Sequence, residues 1–198
     1  CYLTLKQNAN ALNIFKRAKA LGYDGFDSDI KSLEESMLKD KAQKALSNGD
    51  YDLALKYYFE AGDRDSMFAV PEYFVKKEDY QNAIRYYHKI ENDYDSQDAR
   101  LRLADIYFNH LNNFDEAFKY YLLHYIILQA NSTENLIDAM LLVAAFNEVC
   151  KVPKYFEDKK DFKNAIMYYQ KAYEETKHSD IAFRIAQLYE KMKNKNIC

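Results

Sequence analysis

One stretch of this chain occurs twice. Val70–Lys89 reads VPEYFVKKEDYQNAIRYYHK and Val152–Lys171 reads VPKYFEDKKDFKNAIMYYQK, in the same register, 82 residues apart and without a gap. The second copy keeps Val-Pro, Tyr-Phe, the Lys-x-Asp-aromatic corner, Asn-Ala-Ile, the Tyr-Tyr pair and the closing Lys, and both prolines of the protein lie inside the repeat. A match at fixed period means that one supersecondary unit is stacked on copies of itself, because a single unit cannot bury its apolar face alone. Composition agrees. With 48% hydrophobic and 30% charged residues, four Gly and two Pro, the chain is neither disordered, nor collagen-like, nor a disulfide scaffold.

Apolar residues Leu12, Phe15 and Ala18, with Ala11 and Ile14 beside them, recur at helical spacing, and Gly22 can supply the left-handed cap that ends this first helix. Tyr23–Ser32 reads as a connection rich in Gly, Asp and Ser, followed by a helix from about Ser32 to Leu46 that stops at Asn48-Gly49. Asp50 then precedes Tyr51, Asp79 precedes Tyr80, Asn113 precedes Phe114 and Asp161 precedes Phe162. Each is an N-cap residue, whose side chain accepts a free first-turn N–H, then an aromatic, an Ala three residues on, and a Tyr-Tyr pair. The second Tyr of each pair is expected between helices, its ring buried and its hydroxyl on water or a backbone group.

These residues resemble the tetratricopeptide repeats, with a lean towards their Sel1-like relatives. The small residue where paired helices approach is Ala11, Ala54, Ala83, Ala117 and Ala165; the aromatic four residues later is Phe15, Tyr58, Tyr87, Tyr121 and Tyr169. The last small position holds Ala18, Ala61 and Ala172, but Ile90 and His124 in the middle. The resemblance implies an all-α, right-handed α-α superhelix of about five helical pairs, in approximate units 1–22, 32–62, 65–92, 98–130, 134–176 and 180–198. Spacings of 43, 29, 34 and 48 between the packing alanines, against a usual repeat of about 34, predict irregular stacking. Pro71 and Pro153 fall where the first helix of a pair normally has a small residue, so each either starts its helix at the first position or kinks it. Leu103, Ala104 and Tyr107 make a good first-helix face, and Ala182, Ala186 and Tyr189 look like another whose partner is absent. The chain therefore reads as part of a longer solenoid, with lipidation of Cys1 the alternative account of how it begins.

The chemistry-bearing residues do not assemble into a catalytic or cofactor motif. His88, His110, His124 and His178 lack metal-ligand spacing; there is no Gly-rich phosphate loop and no GxSxG elbow; Cys1, Cys150 and Cys198 fit neither a disulfide framework nor a CxxC site. Adjacent acids such as Glu34-Glu35 and Glu174-Glu175 point apart on a helix. No enzyme activity and no cofactor are expected. A formal charge of −3 gives no general attraction to nucleic acid, and the uncharged run Tyr120–Thr133, 14 residues long, falls short of the ~20 needed to span a bilayer. A cytoplasmic setting is expected, with a lipid anchor through Cys1 as the alternative.

The resemblance implies a partner-binding face on the first helices, here Gln43, Glu72, Arg102, Asp105, Asn109, Lys154, Arg184, Gln187 and Lys191. The expected function is that of a protein-interaction scaffold or adaptor gripping a peptide or helix of a partner; the alternative is a ligand-responsive regulator or secretion chaperone whose repeats close around a peptide. The apolar segment 122–149 is expected to support a homo-oligomer.

Overall fold

The Lys-x-Asp-aromatic corner does two jobs at once. In a computed structural model, which describes residues 2–132 and 136–195, Glu78 and Lys160 turn left-handed (φ 58° and 59°), and the N–H groups of Glu78 and Asp79 return to Val75 and Phe74. Those of Lys160 and Asp161 return to Glu157 and Phe156 in the same way. This is the closure that satisfies the last carbonyls of a helix. The Asp then starts the next helix: Asp79 and Asp161 each accept the N–H of the residue three on (Asn82, Asn164) at 3.2 Å, and its side-chain amide at 2.7 and 2.6 Å. Asn113 accepts from Glu116 N at 3.3 Å. Asp50 occupies the same place, but its side chain makes no capping bond; there the chain is turned by Gly49 (φ 84°), whose closure onto Ala45 and Leu46 suffices.

The chain forms two compact units, 1–86 and 87–198. The first holds α1 (Tyr2–Ala20), α2 (Asp27–Asn48), α3 (Tyr51–Glu60), α4 (Arg64–Met67), α5 (Ala69–Lys76) and the start of α6 (Tyr80–Tyr94). Here α1 packs on α2 and α2 on α3, while α5 touches both α3 and α4. The second unit holds the rest of α6, then α7 (Gln97–Asn109), α8 (Phe114–Asn131), α9 (Leu136–Val149), α10 (Lys151–Asp158), α11 (Phe162–Thr176) and α12 (Ser179–Lys195). Within it α8 packs against α7 and α9, and α11 against α10 and α12. All the regular structure among the described residues is helical. The readings placed on Cys1, Thr133, Glu134 and Cys198 lie outside the described residues.

Both prolines sit neither at the first helical position nor in mid-helix. Pro71 and Pro153 are third in α5 and α10, and the preceding helices α4 and α9 end at Met67 and Val149, four residues before each proline. A proline has no N–H for the carbonyl four residues back and its ring crowds that carbonyl, so the helix breaks there, at Phe68 and Cys150. The connection expected over Tyr23–Ser32 is shorter than that: α2 begins at Asp27, with Asp27 and Asp29 in its first turn, where carboxylates favour the positive helix end. In α1, Leu12, Phe15 and Ala18 are half-buried, but Ile14 is exposed.

Four of the five near-axis alanines belong to the core. Ala54, Ala83, Ala117 and Ala165 are fully buried, as are the aromatics Tyr58, Tyr87, Tyr121 and Tyr169, while Ala11 and Phe15 at the N-terminal end are half-buried. Two of the tyrosine hydroxyls find side chains. Tyr58 donates to Gln43 at 3.1 Å and Tyr121 to Asp105 at 2.6 Å.

The repeat is longer than the sequence match. Helices α5 and α6 have the same bounds as α10 and α11 displaced by 82 residues, α7 and α12 start at equivalent positions, and the left-handed residues Asp95 (φ 46°) and Lys177 (φ 51°) also correspond. Beyond position 109 the two part: the chain turns at His110–Asn113 into α8, whereas α12 runs on to Lys195.

Candidate protein-binding groove

The second unit brings three of the nine expected face residues to one place. Lys154 on α10 and Arg184 and Gln187 on α12 border a groove of about 390 Å³, together with Phe146 and Asn147 of α9, Cys150, Tyr169 of α11, and Asp180, Ile181 and Phe183 of α12. The break at Cys150 sets this up. Because Pro153 interrupts the helix, α9 carries Phe146 and Asn147 to one wall while α10 carries Lys154 to another, with Cys150 and Tyr169 buried below.

The polar groups of the groove are held in place. Arg184 grips Glu157 through Nε at 2.9 Å and Nη2 at 2.5 Å, and its Nη1 donates to Gln187 Oε1 at 2.9 Å. Lys191 reaches the same carboxylate at 3.4 Å. A forked guanidinium–carboxylate pair fixes orientation as well as charge. Arg184 also lies against the Tyr169 hydroxyl, which burial pushes up to about 12. Phe146 stacks on His178 at 4.1 Å between centroids. Lys154 stands exposed at the rim and Phe183 is 66% exposed, so the groove presents an aromatic surface beside an available ammonium. Burial raises the Cys150 thiol to about 11, opposed by the nearby Lys154, which favours the protonated form at neutral pH.

The other expected face residues lie elsewhere. Asp105 is occupied by Tyr121 and by Lys151 Nζ at 3.3 Å. Gln43 is exposed on α2 and serves Tyr58, Glu72 is half-buried in the first turn of α5, and Arg102 and Asn109 are exposed on α7. Glu157, Phe146, Ile181 and Phe183 escaped the sequence reading. A signal for Glu157 existed, since it replaces Val75 of the first copy and an acid at a semi-buried helix position needs a cationic partner. On α12 Ile181 and Leu188 are buried, while Ala186 and Tyr189, read as a first-helix face without its partner, are exposed.

Among the described residues, no three His, Cys, Asp or Glu side chains are grouped to hold a metal ion, and no helix is long and apolar enough to cross a membrane. Paired helices joined through buried alanines, with Asp-capped corners and a buried tyrosine on each of α3, α6, α8 and α11, define a helical-repeat protein of the tetratricopeptide type. Residues 26–195 match the family model of the IF-140/IFT-172 TPR domain, and the chain belongs to that family. No curated protein matches the chain. TPR domains are typically non-enzymatic scaffolds that bind other proteins.

Proposed function

We propose that this chain is a non-enzymatic interaction scaffold, acting in the cytoplasm, and that the groove between α9–α10, α11 and α12 receives a peptide or helix of a partner protein. The observation that carries this reading is the convergence of Lys154, Arg184 and Gln187 around an aromatic trough. Phe146, Ile181 and Phe183 supply the apolar area that gives affinity, and the fixed Arg184–Glu157–Gln187 array with Lys154 selects among segments. Area alone does not set affinity; a preorganised anchor site does, because less side-chain entropy is lost on binding. Affinity capture with the chain as bait tests the proposal. A partner that is retained by the wild type and lost with Lys154→Glu and Phe183→Ser, both exposed changes, supports it; a partner retained by both variants overturns it.

Self-association through segment 122–149 is a second part of the proposal. Ile137, Met140, Leu141 and Ala144 line one stripe of α9 and are exposed, as are Leu123 and Ile126 of α8, an apolar surface of the kind that marks association sites. Leu141→Asp is expected to reduce the solution mass to that of one chain with helical content unchanged. An unchanged mass would count against it.

A further inference from the structure

We infer that Tyr51 of α3 and Tyr73 of α5 are an oxidation-sensitive pair: a one-electron oxidant, of the kind peroxidases make from hydrogen peroxide, joins their rings by a Cε–Cε bond and locks α3 to α5. The observation is a difference between the two copies of the repeat. At the first, the rings of Tyr51 and Tyr73 stand 5.6 Å apart at 38°. The Tyr51 hydroxyl donates to the Tyr73 oxygen, Lys77 donates to the same oxygen, and Lys77 Nζ lies 4.6 Å from the Tyr73 ring centroid. At the second, Phe114 stands beside Tyr155 at 4.7 Å, so one of the two phenols is missing and this coupling has no counterpart.

Coupling takes place at the ring carbons next to the hydroxyl-bearing carbon. A hydrogen bond shared by two hydroxyls therefore sets the reacting carbons side by side. Lys77 and then Tyr51 hold the Tyr73 phenol below its ordinary value, and a phenol that gives up its proton more readily also gives up its electron more readily. Both side chains are half-buried, so a small oxidant reaches them while the helices keep the rings paired. Neighbouring tyrosines lack one feature or another. Tyr86 meets Tyr51 edge-on at 6.1 Å and is only 4% exposed. Tyr107 and Tyr120 stack at 5.8 Å, but the Tyr120 hydroxyl pairs with His88 at 3.3 Å and burial pushes both phenols up.

Each phenol loses one electron and its hydroxyl proton and becomes a phenoxyl radical; two equivalents of oxidant are reduced and the protons pass to water. The radicals pair to form the Cε–Cε bond. The hydrogens on those carbons then move back to the oxygens as the rings regain aromaticity, and the product is lighter by two hydrogen atoms. A covalent link between α3 and α5 restricts the unfolded chain and so favours the folded one.

The full chain is oxidised with a limiting amount of photogenerated ruthenium(III) tris-bipyridyl, dityrosine fluorescence reads the yield, and mass spectrometry of the digest maps the link. The first link to form should join Tyr51 to Tyr73 within one chain and raise the urea midpoint. Tyr51→Phe, which copies the ring of the second joint, should lower the yield at least tenfold. Phe114→Tyr, which supplies the missing phenol beside Tyr155, should add a second link. Lys77→Met, an exposed change, should slow the first. Circular dichroism checks that each variant folds. The inference is overturned if the first link maps to another pair or between chains, if Tyr51→Phe leaves the yield unchanged, or if Phe114→Tyr adds no link to Tyr155. A Tyr51–Tyr73 link that leaves the urea midpoint where it was overturns the lock.

Discussion

The two copies of the repeat build the same joint from different neighbours. In the first, Tyr51 at the start of α3 meets Tyr73 and Phe74 of α5 at 5.6 and 4.6 Å, and Phe74 stacks on Tyr86 at 5.4 Å and 7°. In the second, Phe114 at the start of α8 meets Tyr155 and Phe156 of α10 at 4.7 and 4.9 Å, and Phe156 stacks on Tyr168 at 5.4 Å and 11°. The aromatic after the N-cap, the Tyr-Phe after the proline and the first Tyr of the pair are therefore one cluster, which joins consecutive helical pairs. What differs is charge. Glu72 and Val75 in the first copy become Lys154 and Glu157 in the second, and the latter pair contributes the rim and the clamp of the groove. A repeat keeps its joints and varies the helix positions beside them, because the joints are set by ring packing while the neighbouring positions need only solvent or a partner of opposite charge.

The largest test removes the shared ring. Phe74→Ala should cost ~3–5 kcal/mol, the range for a buried Phe, and Phe156→Ala less, because Phe156 is half-buried where Phe74 is 7% exposed; urea midpoints of the two variants measure the ratio. If Phe156→Ala proved the more damaging, the two joints would not be equivalent. Overpacking comes next: Ala83→Leu and Ala165→Leu, both at fully buried positions, should each cost ~1–3 kcal/mol. Full thermal stability in both would break the assignment of these alanines to the helix-pair contact. Removing the caps should be milder and equal in the two copies. Asp79→Ala and Asp161→Ala each lose two bonds of nearly identical length, for ~1 kcal/mol apiece, and a twofold disparity would show that one corner is held by something else.

The smallest effect sharpens the contrast at the last small position, where α6 has Ile90, α11 has Ala172 and α8 has His124. Burial lowers the His124 pKa, opposed by Asp98 and Glu148 and reinforced by Arg100, and its Nδ1 is buried with no hydrogen-bond partner among the described residues. The unfolded chain therefore binds a proton that the folded chain refuses. Stability should be complete above the unfolded value of ~6.5 and fall as the pH drops below it, by at most ~1.4 kcal/mol per pH unit. His124→Leu should flatten that slope in unfolding experiments run from pH ~7.5 to ~5.5; a slope unchanged by the substitution would assign it to other groups.

Much of this architecture was legible because local rules act over a few residues. The Asp corner, the alanine four residues before a tyrosine and the left-handed stops at Gly22 and Gly49 each follow from short-range sterics or a single hydrogen bond, and each stands where the pattern put it. What a neighbour decides was not legible. Ala104, on the kind of first-helix face that Ala186 and Tyr189 also form, is buried because α8 lies across α7. The expected face also mixed two populations. Lys154, Arg184 and Gln187 border the groove, whereas Gln43 and Asp105 serve as acceptors for the buried tyrosines behind them, a demand that arises only when Tyr58 and Tyr121 lose water.

By itself, then, the sequence determined the helical class, the corners, the alanine–tyrosine contacts and the family, because each is encoded in spacing along the chain. The tertiary structure alone decided which candidates share a groove and that Glu157 rather than solvent holds Arg184. Those outcomes depend on which side chains from distant helices exclude water from one another, and no spacing along a single helix records that.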